Sequence, residues 1–407
     1  MADPSTCAPL TRASVVEAHR IVAPHVHRTP VVTNRTLSEM ASRPRTAEEL
    51  RGTRWEGRRP AAPRMRLWFK CENMQRIGAF KVRGAFHAVE KLMREEGWLG
   101  GGGREKGVVT HSSGNHAQAL ALAARENGIK ARIVMPDISI PQKIAATRGY
   151  GAEVIFSGST SPEREAAAAR VIAETGARLV PPYDHPDILL GQGTMGLELQ
   201  EQVGEMLAAE KKQQHNDKGS RSGEEKTTTT TKSGSSSSSS SKTGLDAIIT
   251  PCGGGGMLSG VALSCEGTGI RVFGAEPLFQ GADDGKRGYE SGRRVASVST
   301  LTVADGLRTP VGEIPFSVIA GDRRLVSGMF SVTEAEILAA MRLVLERCKM
   351  VVEPSACVPL AAALFDEEFR AVVEREGGEE GWELGIVLSG GNVGVDAIGR
   401  MFGGGAK

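Results

Sequence analysis

The sequence predicts an α/β protein built on parallel sheets covered by helices. Short apolar strand candidates alternate with helix candidates along most of the chain, which is the pattern of parallel sheets. The 407 residues include 51 glycines and are 40% hydrophobic, a composition typical of glycine-rich α/β enzymes. The length allows two or three domains, and the sequence shows no internal repeat.

The elements follow one another in a regular order. A helix is predicted from Ala13 to Ile21, an extended segment at 29–32 and a strand at 67–70. Further strands are predicted at 108–111, 131–135, 153–156, 178–180, 245–250, 271–275 and 385–388. Further helices are predicted at 116–127, from Pro141, around 162–175, and at 194–209 and 332–348.

Two segments break this alternation. Residues 41–66 hold eight arginines and little apolar content, so we predict a surface insertion, with nucleic-acid binding as a minor alternative. Residues 210–244 contain five consecutive threonines and seven consecutive serines. Such a tract cannot bury enough apolar surface to order itself, so we predict a disordered low-complexity insertion. Loop-closure entropy grows slowly with length, so the tract can interrupt a domain without dividing it.

Charge and cysteine content indicate which partners and which cellular environment the protein is suited to. The formal net charge of +2 gives no field that would favour nucleic acid or membrane surfaces. We expect no signal peptide and no transmembrane span, because the N-terminus lacks a long apolar run. Six cysteines show neither paired spacing nor zinc-ligand spacing and are predicted to be reduced thiols, as in a cytosolic protein: Cys7, Cys71, Cys252, Cys265, Cys348 and Cys357.

One lysine lies where a predicted strand gives way to a turn and a helix. Lys81 stands between Phe80 and Val82, and apolar surroundings lower the pKa of a lysine and make its amine nucleophilic. Such an amine can hold an aldehyde cofactor as a Schiff base. Taken alone, the stretch is more typical of a solvated lysine at the start of a helix.

A turn of small residues follows the predicted strand at 108–111. It reads His111-Ser112-Ser113-Gly114-Asn115-His116 and opens a helix. Amides at a helix N-terminus suit an anion such as a carboxylate. The same pattern also fits a simple N-cap turn.

Four glycines follow the predicted strand at 245–250. Gly253, Gly254, Gly255 and Gly256 precede Met257 and a helix, and their amides can wrap a phosphate. The run at 100–103 also has four glycines but leads into a strand, so we predict a plain surface loop there. Neither run has the spacing of a nucleotide-hydrolysing loop.

Two further motifs lie at the ends of predicted strands. Ser389-Gly390-Gly391-Asn392 follows an apolar strand, where a hydroxyl could donate to a ring nitrogen and where a plain turn is equally compatible. Glu276 ends another strand and is followed by Ala282, Asp283 and Asp284. Two carboxylates and a backbone carbonyl suit Mg²⁺ or Ca²⁺, although a solvated acidic loop gives the same pattern.

Together, the lysine stretch and the three glycine-containing turns resemble the fold-type II pyridoxal-phosphate enzymes, which share the tryptophan synthase β-like fold. Their order and spacing are most similar to the serine racemase and serine/threonine dehydratase branch, over all but 41–66 and 210–244. The resemblance implies two open twisted-sheet domains. We predict a large domain from 1–106 and 185–407, and a small domain from 107–184.

The resemblance implies a role for each matching residue. Lys81 would hold the cofactor and move one proton, Gly253–Met257 would bind its phosphate, Asn115 its ring oxygen, and Ser389 its ring nitrogen. The substrate carboxylate would lie against Ser112, Gly114, Asn115 and His116, with Ser113 facing Cα opposite Lys81. Glu276, Ala282 and Asp284 would hold Mg²⁺, Ca²⁺ or Mn²⁺. Two extra residues separate Glu276 from Ala282 in this chain, and Tyr183 stands where animal racemases carry asparagine.

The resemblance also implies the activity and its effectors. We predict a cytoplasmic, homodimeric serine racemase, because Ser113 would supply a second proton carrier. We also predict L-serine dehydratase activity, with L-threonine and D-serine as further candidate substrates. The alternatives are a threo-3-hydroxyaspartate or threonine dehydratase, or a non-catalytic ligand- or nucleic-acid-binding protein. Gln118, Tyr150 and Lys349 match a possible ATP site, whereas Arg76 and Ile77 depart from its usual Lys-Thr.

Overall fold

The computed structural model describes residues 4–139, 141–221 and 244–403. Within these ranges the chain forms two separate sheets flanked by helices. The strands are β1 Val31–Thr33, β2 Met65–Cys71, β3 Val108–His111, β4 Ala131–Pro136, β5 Glu153–Ser157, β6 Arg178–Leu179, β7 Ala247–Pro251, β8 Arg271–Pro277, β9 Gly328–Val332 and β10 Trp382–Leu388.

The helices cover both faces of the sheets. They are α1 Arg12–Val22, α2 Arg35–Ser42, α3 Ala47–Leu50, α4 Val82–Met93, α5 Gly103–Lys106, α6 Asn115–Glu126, α7 Pro141–Gly149, α8 Ser161–Thr175, α9 Pro186–Arg221, α10 Gly256–Cys265, α11 Asp284–Ser291, α12 Glu313–Ile319, α13 Glu334–Leu343, α14 Pro354–Phe365, α15 Glu367–Gly377 and α16 Val395–Phe402. Among the described residues, none of these helices combines the length and hydrophobicity that crossing a bilayer needs.

The larger sheet has six strands in the order β1-β2-β10-β7-β8-β9. All its neighbours are parallel except β1 and β2, so the α/β prediction is confirmed. The smaller sheet is fully parallel in the order β5-β4-β3-β6 and comes from residues 108–179. Ligands of such sheets bind beyond the carboxyl ends of the strands, where the predicted turns lie.

The domain boundaries at 106/107 and 184/185 stay a prediction. The smaller sheet packs on α6, and α6 packs on α4, so residues of 77–92 share a core cluster with β3 and β4. Helix α4 also packs extensively on α9. Helix α4 therefore contacts the elements around both sheets.

A neutral group of two cations and two anions is buried beside the lysine stretch. Arg83 donates to both carboxylate oxygens of Glu72 and of Glu198, at 2.8 Å in each case. Lys70 donates to the same Glu198 at 2.7 Å. All four side chains are at most 2% exposed. Removing one partner of such a group typically costs about 3–5 kcal/mol. The group therefore fixes β2, α4 and α9 relative to one another. Its arginine, Arg83, lies two residues after Lys81 on α4.

The prediction of a surface insertion at 41–66 is wrong in part. The segment packs on α15 and buries Leu50 and Trp55, which are 2% exposed. Arg54 stacks over the Trp55 ring and donates to the buried Asp366 carboxylate at 2.9 Å. Several of its other arginines also pair with carboxylates, such as Arg66 with Glu210. These arginines neutralise acidic side chains of the same chain, and Leu50 and Trp55 supply apolar packing.

Two further predictions need correction. Residues 210–221 do not form a disordered loop but continue α9, because this stretch is rich in residues that favour helices. The remainder of the predicted insertion, 222–243, lies outside the described residues. The glycine run at 100–103 is not wholly a surface loop, because Gly103 is buried and begins α5. A Cβ atom on Gly103 would lie 2.4 Å from the Trp98 ring.

Candidate active site

Lys81 lies at the N-terminal boundary of α4, as the strand–turn–helix pattern predicts. Its Nζ donates to the backbone oxygen of Pro182 at 2.7 Å. Burial lowers the pKa of Lys81 to about 8, against an opposing effect of the Glu353 carboxylate. The amine is therefore easier to deprotonate than an ordinary lysine, which is what a nucleophilic role requires.

The turn before Lys81 is pinned to the end of β10. The Phe80 amide donates to the Ser389 oxygen at 3.0 Å, and the Gly391 amide donates to the Gly78 oxygen at 2.9 Å. Gly78 has φ +71°, and a Cβ atom there would lie 2.7 Å from the Asn392 side chain. Ile77 has φ 60°, an uncommon value for a β-branched residue. This strained turn sets Lys81 close to the buried Ser389.

Asn115 joins the smaller sheet to this turn. It begins α6, and its side-chain oxygen accepts a hydrogen bond from Asn392 at 2.8 Å. Asn392 also donates to the Ile77 oxygen at 2.8 Å. The Asn115 amide group donates to the Glu353 carboxylate at 3.0 Å. Asn115, Ser389 and Lys81 therefore lie in one connected cluster.

The Ser112–His116 turn connects β3 to α6. Ser112 Oγ accepts the Gly114 amide at 3.3 Å, and Ser113 lies between these two residues. His116 is 2% exposed, and its Nε2 lies 3.0 Å from the Val180 oxygen. Burial, reinforced by the charge of Lys81, lowers the pKa of His116 to about 3. His116 is therefore neutral near pH 7, and its Nε2–H orients the turn by donating to Val180.

The run Gly253–Met257 leads from β7 into α10, and a side chain at Gly254 or Gly255 would collide with neighbouring residues. A Cβ atom on Gly254 would lie 2.3 Å from the Tyr183 ring, and one on Gly255 would lie 2.7 Å from Pro315. Gly255 also has φ +82°, which favours glycine. The first turn of α10 leaves backbone amides without acceptors in the helix. The run therefore has the shape and polarity of an anion cradle.

The sequence gives no signal for the place that Glu353 takes in this region, and it marks Tyr183 only as a departure from animal racemases. Glu353 precedes Pro354 and resembles an ordinary residue at a helix start, yet it is 5% exposed and contacts Asn115. Burial, together with the charge of Asp305, raises the pKa of Glu353 to about 7. Tyr183 covers the glycine run, and burial raises its pKa.

Glu276 and Asp284 are buried near each other at the end of β8. Glu276 accepts the amides of Gly285 and Lys286 at 3.1 and 2.8 Å, and Asp284 accepts the Val311 amide at 2.9 Å. Burial and the neighbouring Asp284 raise the pKa of Glu276 well above its usual range, and burial raises that of Asp284 to about 6. Ala282, the third predicted ligand, is also buried. Raised pKa values show that it is unfavourable for these two buried carboxyl groups to be ionised together. A bound cation would stabilise their ionised forms.

The three residues matched to an ATP site lie on separate elements. Gln118 is buried within α6, and Tyr150 follows α7 with the Arg125 guanidinium over its ring. Lys349 follows the π-helical turn Val344–Cys348 at φ 59°. Arg76, which departs from the usual lysine, pairs with Glu126 and donates to the His25 oxygen at 2.8 Å. Its charge is therefore already engaged within the chain.

Comparison with known proteins places this geometry in a family. A family model described as "Pyridoxal-phosphate dependent enzyme" matches residues 55–209 and 239–376. The L-threo-3-hydroxyaspartate ammonia-lyase of Saccharomyces cerevisiae is 36% identical over 94% of this chain and 93% of its own. The serine racemase of Dictyostelium discoideum is 35% identical over 97% of this chain and 98% of its own. The structure of maize serine racemase superposes with a TM-score of 0.74, is 35% identical, and covers 96% of each chain. With a lysine of lowered pKa, an anion cradle and these full-length matches, the chain belongs to the family of pyridoxal-phosphate-dependent enzymes.

Proposed function

We propose that this enzyme is a serine racemase that also eliminates water from L-serine, with L-threonine and D-serine as further candidate substrates. The observation that carries the proposal is the hydroxyl of Ser113, in the turn that leads to Asn115 and the Lys81 cluster. Racemisation requires a proton carrier on each face of Cα. Plain threonine dehydratases of the resembled branch usually carry alanine at this position, whereas its racemases carry serine.

The residues of the site fit pyridoxal phosphate. The run Gly253–Met257 offers backbone amides in a turn that is packed too tightly for side chains at Gly254 and Gly255, which suits the phosphate. We assign Asn115 to the ring oxygen, Ser389 to the ring nitrogen and Lys81 to the covalent link. When bound, pyridoxal phosphate supplies an electron sink that stabilises negative charge at the substrate Cα.

The chain itself supplies proton transfer and orientation. Lys81, with a pKa of about 8, can accept the Cα proton on one face and return it. Ser113 would carry a proton on the opposite face, so loss on one side and return on the other inverts the configuration. Loss of the β-hydroxyl as water instead, followed by hydrolysis, gives pyruvate and ammonia. Ser389 is a neutral partner for the ring nitrogen, so it does not force the ring to be protonated, and elimination competes well with reprotonation.

The main alternative is L-threo-3-hydroxyaspartate dehydration, which the yeast relative favours by its similarity. Ser113 does not separate the two activities, because hydroxyaspartate dehydratases of the branch share that serine.

A substrate panel tests the proposal. We expect the purified holoenzyme to convert L-serine into D-serine and pyruvate, with slower turnover of L-threonine and of L-threo-3-hydroxyaspartate. Chiral chromatography and keto-acid detection measure both products. Absence of D-serine together with preferred release of oxaloacetate from hydroxyaspartate would establish the dehydratase alternative instead.

We also infer that Glu276, Ala282 and Asp284 bind a divalent cation of the Mg²⁺, Ca²⁺ or Mn²⁺ class. In chelator-treated protein, we expect Mg²⁺ to raise the free energy of unfolding by about 2–3 kcal/mol at a hundredfold excess over its dissociation constant. Denaturant titration measures this. Glu276→Gln should lose the response, whereas Glu290→Gln, an exposed change on α11, should keep it. An equal response in both variants would exclude this site.

Three further assignments stay predictions. The resemblance favours a homodimer, a cytoplasmic location and ATP as an effector at Gln118, Tyr150 and Lys349. The changed Arg76–Ile77 pair weighs against ATP, because Arg76 already contacts Glu126 and His25.

A further inference from the structure

A cysteine, a histidine and an aspartate meet where the N-terminal segment contacts the start of α9. Cys7 Sγ lies 3.6 Å from Asp187 Oδ2, and His185 Nδ1 lies 3.8 Å from the same oxygen. One ligand atom from each of the three residues lies within 4.8 Å of the other two. His185 and Asp187 are 3% exposed, and Cys7 is half-buried.

One carboxylate oxygen of this group has no hydrogen-bond partner among the described residues. This atom, Asp187 Oδ1, is buried. His185 Nδ1 accepts the Asp187 amide at 3.2 Å, so this nitrogen carries a lone pair rather than a proton. An unprotonated imidazole nitrogen and a carboxylate therefore lie side by side, and a cation that took the place of the amide hydrogen bond would be stabilised by both.

Two of the three ligand separations match the requirements of zinc. Zinc bound to sulfur at about 2.3 Å and to nitrogen or oxygen at about 2.0–2.1 Å places tetrahedral ligands about 3.5 Å apart. The two distances to Asp187 Oδ2 are close to that value. A cavity of about 20 Å³, enough for one water molecule, is lined by His185 and Asp187 and could supply a fourth ligand.

A neighbouring histidine holds the group in place. His87 Nδ1 lies 2.6 Å from the backbone oxygen of Asp187, and the ring of His87 is 3% exposed. Such outer contacts commonly orient metal ligands. The ligand types also separate this group from the oxygen-only Glu276 site, because thiolate and imidazole select zinc-like metals over Mg²⁺ and Ca²⁺.

We propose that Cys7, His185 and Asp187 form a binding site for Zn²⁺ or a metal of similar preference. The metal would tie the N-terminal segment to the start of α9. This helix begins four residues after Pro182, whose backbone oxygen accepts the Lys81 hydrogen bond. Binding would release the thiol proton of Cys7 to solvent and would stabilise the folded state.

Cobalt substitution tests the site in the full-length holoenzyme. The parent carries Glu276→Gln, so that the oxygen site does not contribute. After chelation, we expect Co²⁺ to produce visible d–d bands and a thiolate-to-cobalt band in the near ultraviolet, with one metal bound per chain. Cys7→Ser should abolish the thiolate band and weaken Zn²⁺ binding at least about tenfold. Cys348→Ser, which changes the other half-buried thiol, should leave both unchanged.

A second variant and a stability measurement complete the test. Asp187→Asn should weaken Zn²⁺ binding while preserving the Cys7 thiol, and Zn²⁺ should raise the denaturation midpoint of the parent but not of Cys7→Ser. If Asp187→Asn fails to fold, Cys7→Ser decides the question alone. Absence of a thiolate band in the parent, or the same band and affinity in Cys7→Ser, would overturn the proposal.

Discussion

Replacing Lys81 with alanine is expected to eliminate the visible absorption of the bound cofactor and to lower the formation of both products by more than about 10³-fold. Both effects would have one cause, because the proposed roles give a single amine both the covalent link and the transfer of the Cα proton. Absorption spectra of the purified protein and assays of pyruvate and D-serine measure the two effects.

Lys91→Ala is the matched control for this substitution. Lys91 lies on the same helix α4, ten residues beyond Lys81, and is partly exposed. We expect its replacement to leave the spectrum and the activity unchanged. An unchanged visible band in Lys81→Ala would show that another group carries the cofactor.

Replacing Ser113 with alanine is expected to reduce D-serine formation by about 10²–10⁴-fold while most of the elimination from L-serine remains. Elimination needs a proton carrier on one face of Cα, the role proposed for Lys81, whereas racemisation needs a carrier on both faces. The ratio of D-serine to pyruvate within the same sample is the readout. It is insensitive to the fraction of folded enzyme, so a stability defect cannot imitate the effect.

Ser113→Thr provides the complementary variant, since it retains a hydroxyl at the same position. We expect it to recover part of the racemisation that alanine removes. An equal loss of D-serine and pyruvate in Ser113→Ala would argue against proton carriers on opposite faces of Cα.

The parts of the candidate site that could be predicted are those formed by a few consecutive residues. Lys81 and the runs at 112–116, 253–257 and 389–392 each follow a strand, and turn chemistry at a strand end is visible in a few consecutive residues. The resemblance depends on four such segments in order. The structure adds that Asn392 bonds both Asn115 and Ile77, which brings three of the four segments together.

Features that depend on distant partners could not be predicted. Glu353 is separated from Asn115 by 238 residues, and Cys7 is separated from Asp187 by 180. Nothing in the spacing of either pair indicates a contact. Helix α14 was missed for a different reason: eleven of its twelve residues are buried, so it lacks the amphipathic period that identifies surface helices.

The segments outside the resemblance were the least predictable. Polar composition indicated loops at 41–66 and 210–221, yet the first is held by Trp55 and arginine–carboxylate pairs and the second is helical. Composition measures how much apolar surface a segment can bury. It does not reveal that Asp366 or another carboxylate is positioned to pair with an arginine.

The position of β10 between β2 and β7 has a consequence for the order of folding during synthesis. The smaller sheet is complete once residue 179 has emerged from the ribosome, whereas the larger sheet lacks a central strand until residue 388 has emerged. The turn before Lys81 is held by Ser389, Gly391 and Asn392, so it too acquires its shape only then. A nascent chain therefore lacks the contacts that hold the turn before Lys81 until residue 392 has been translated.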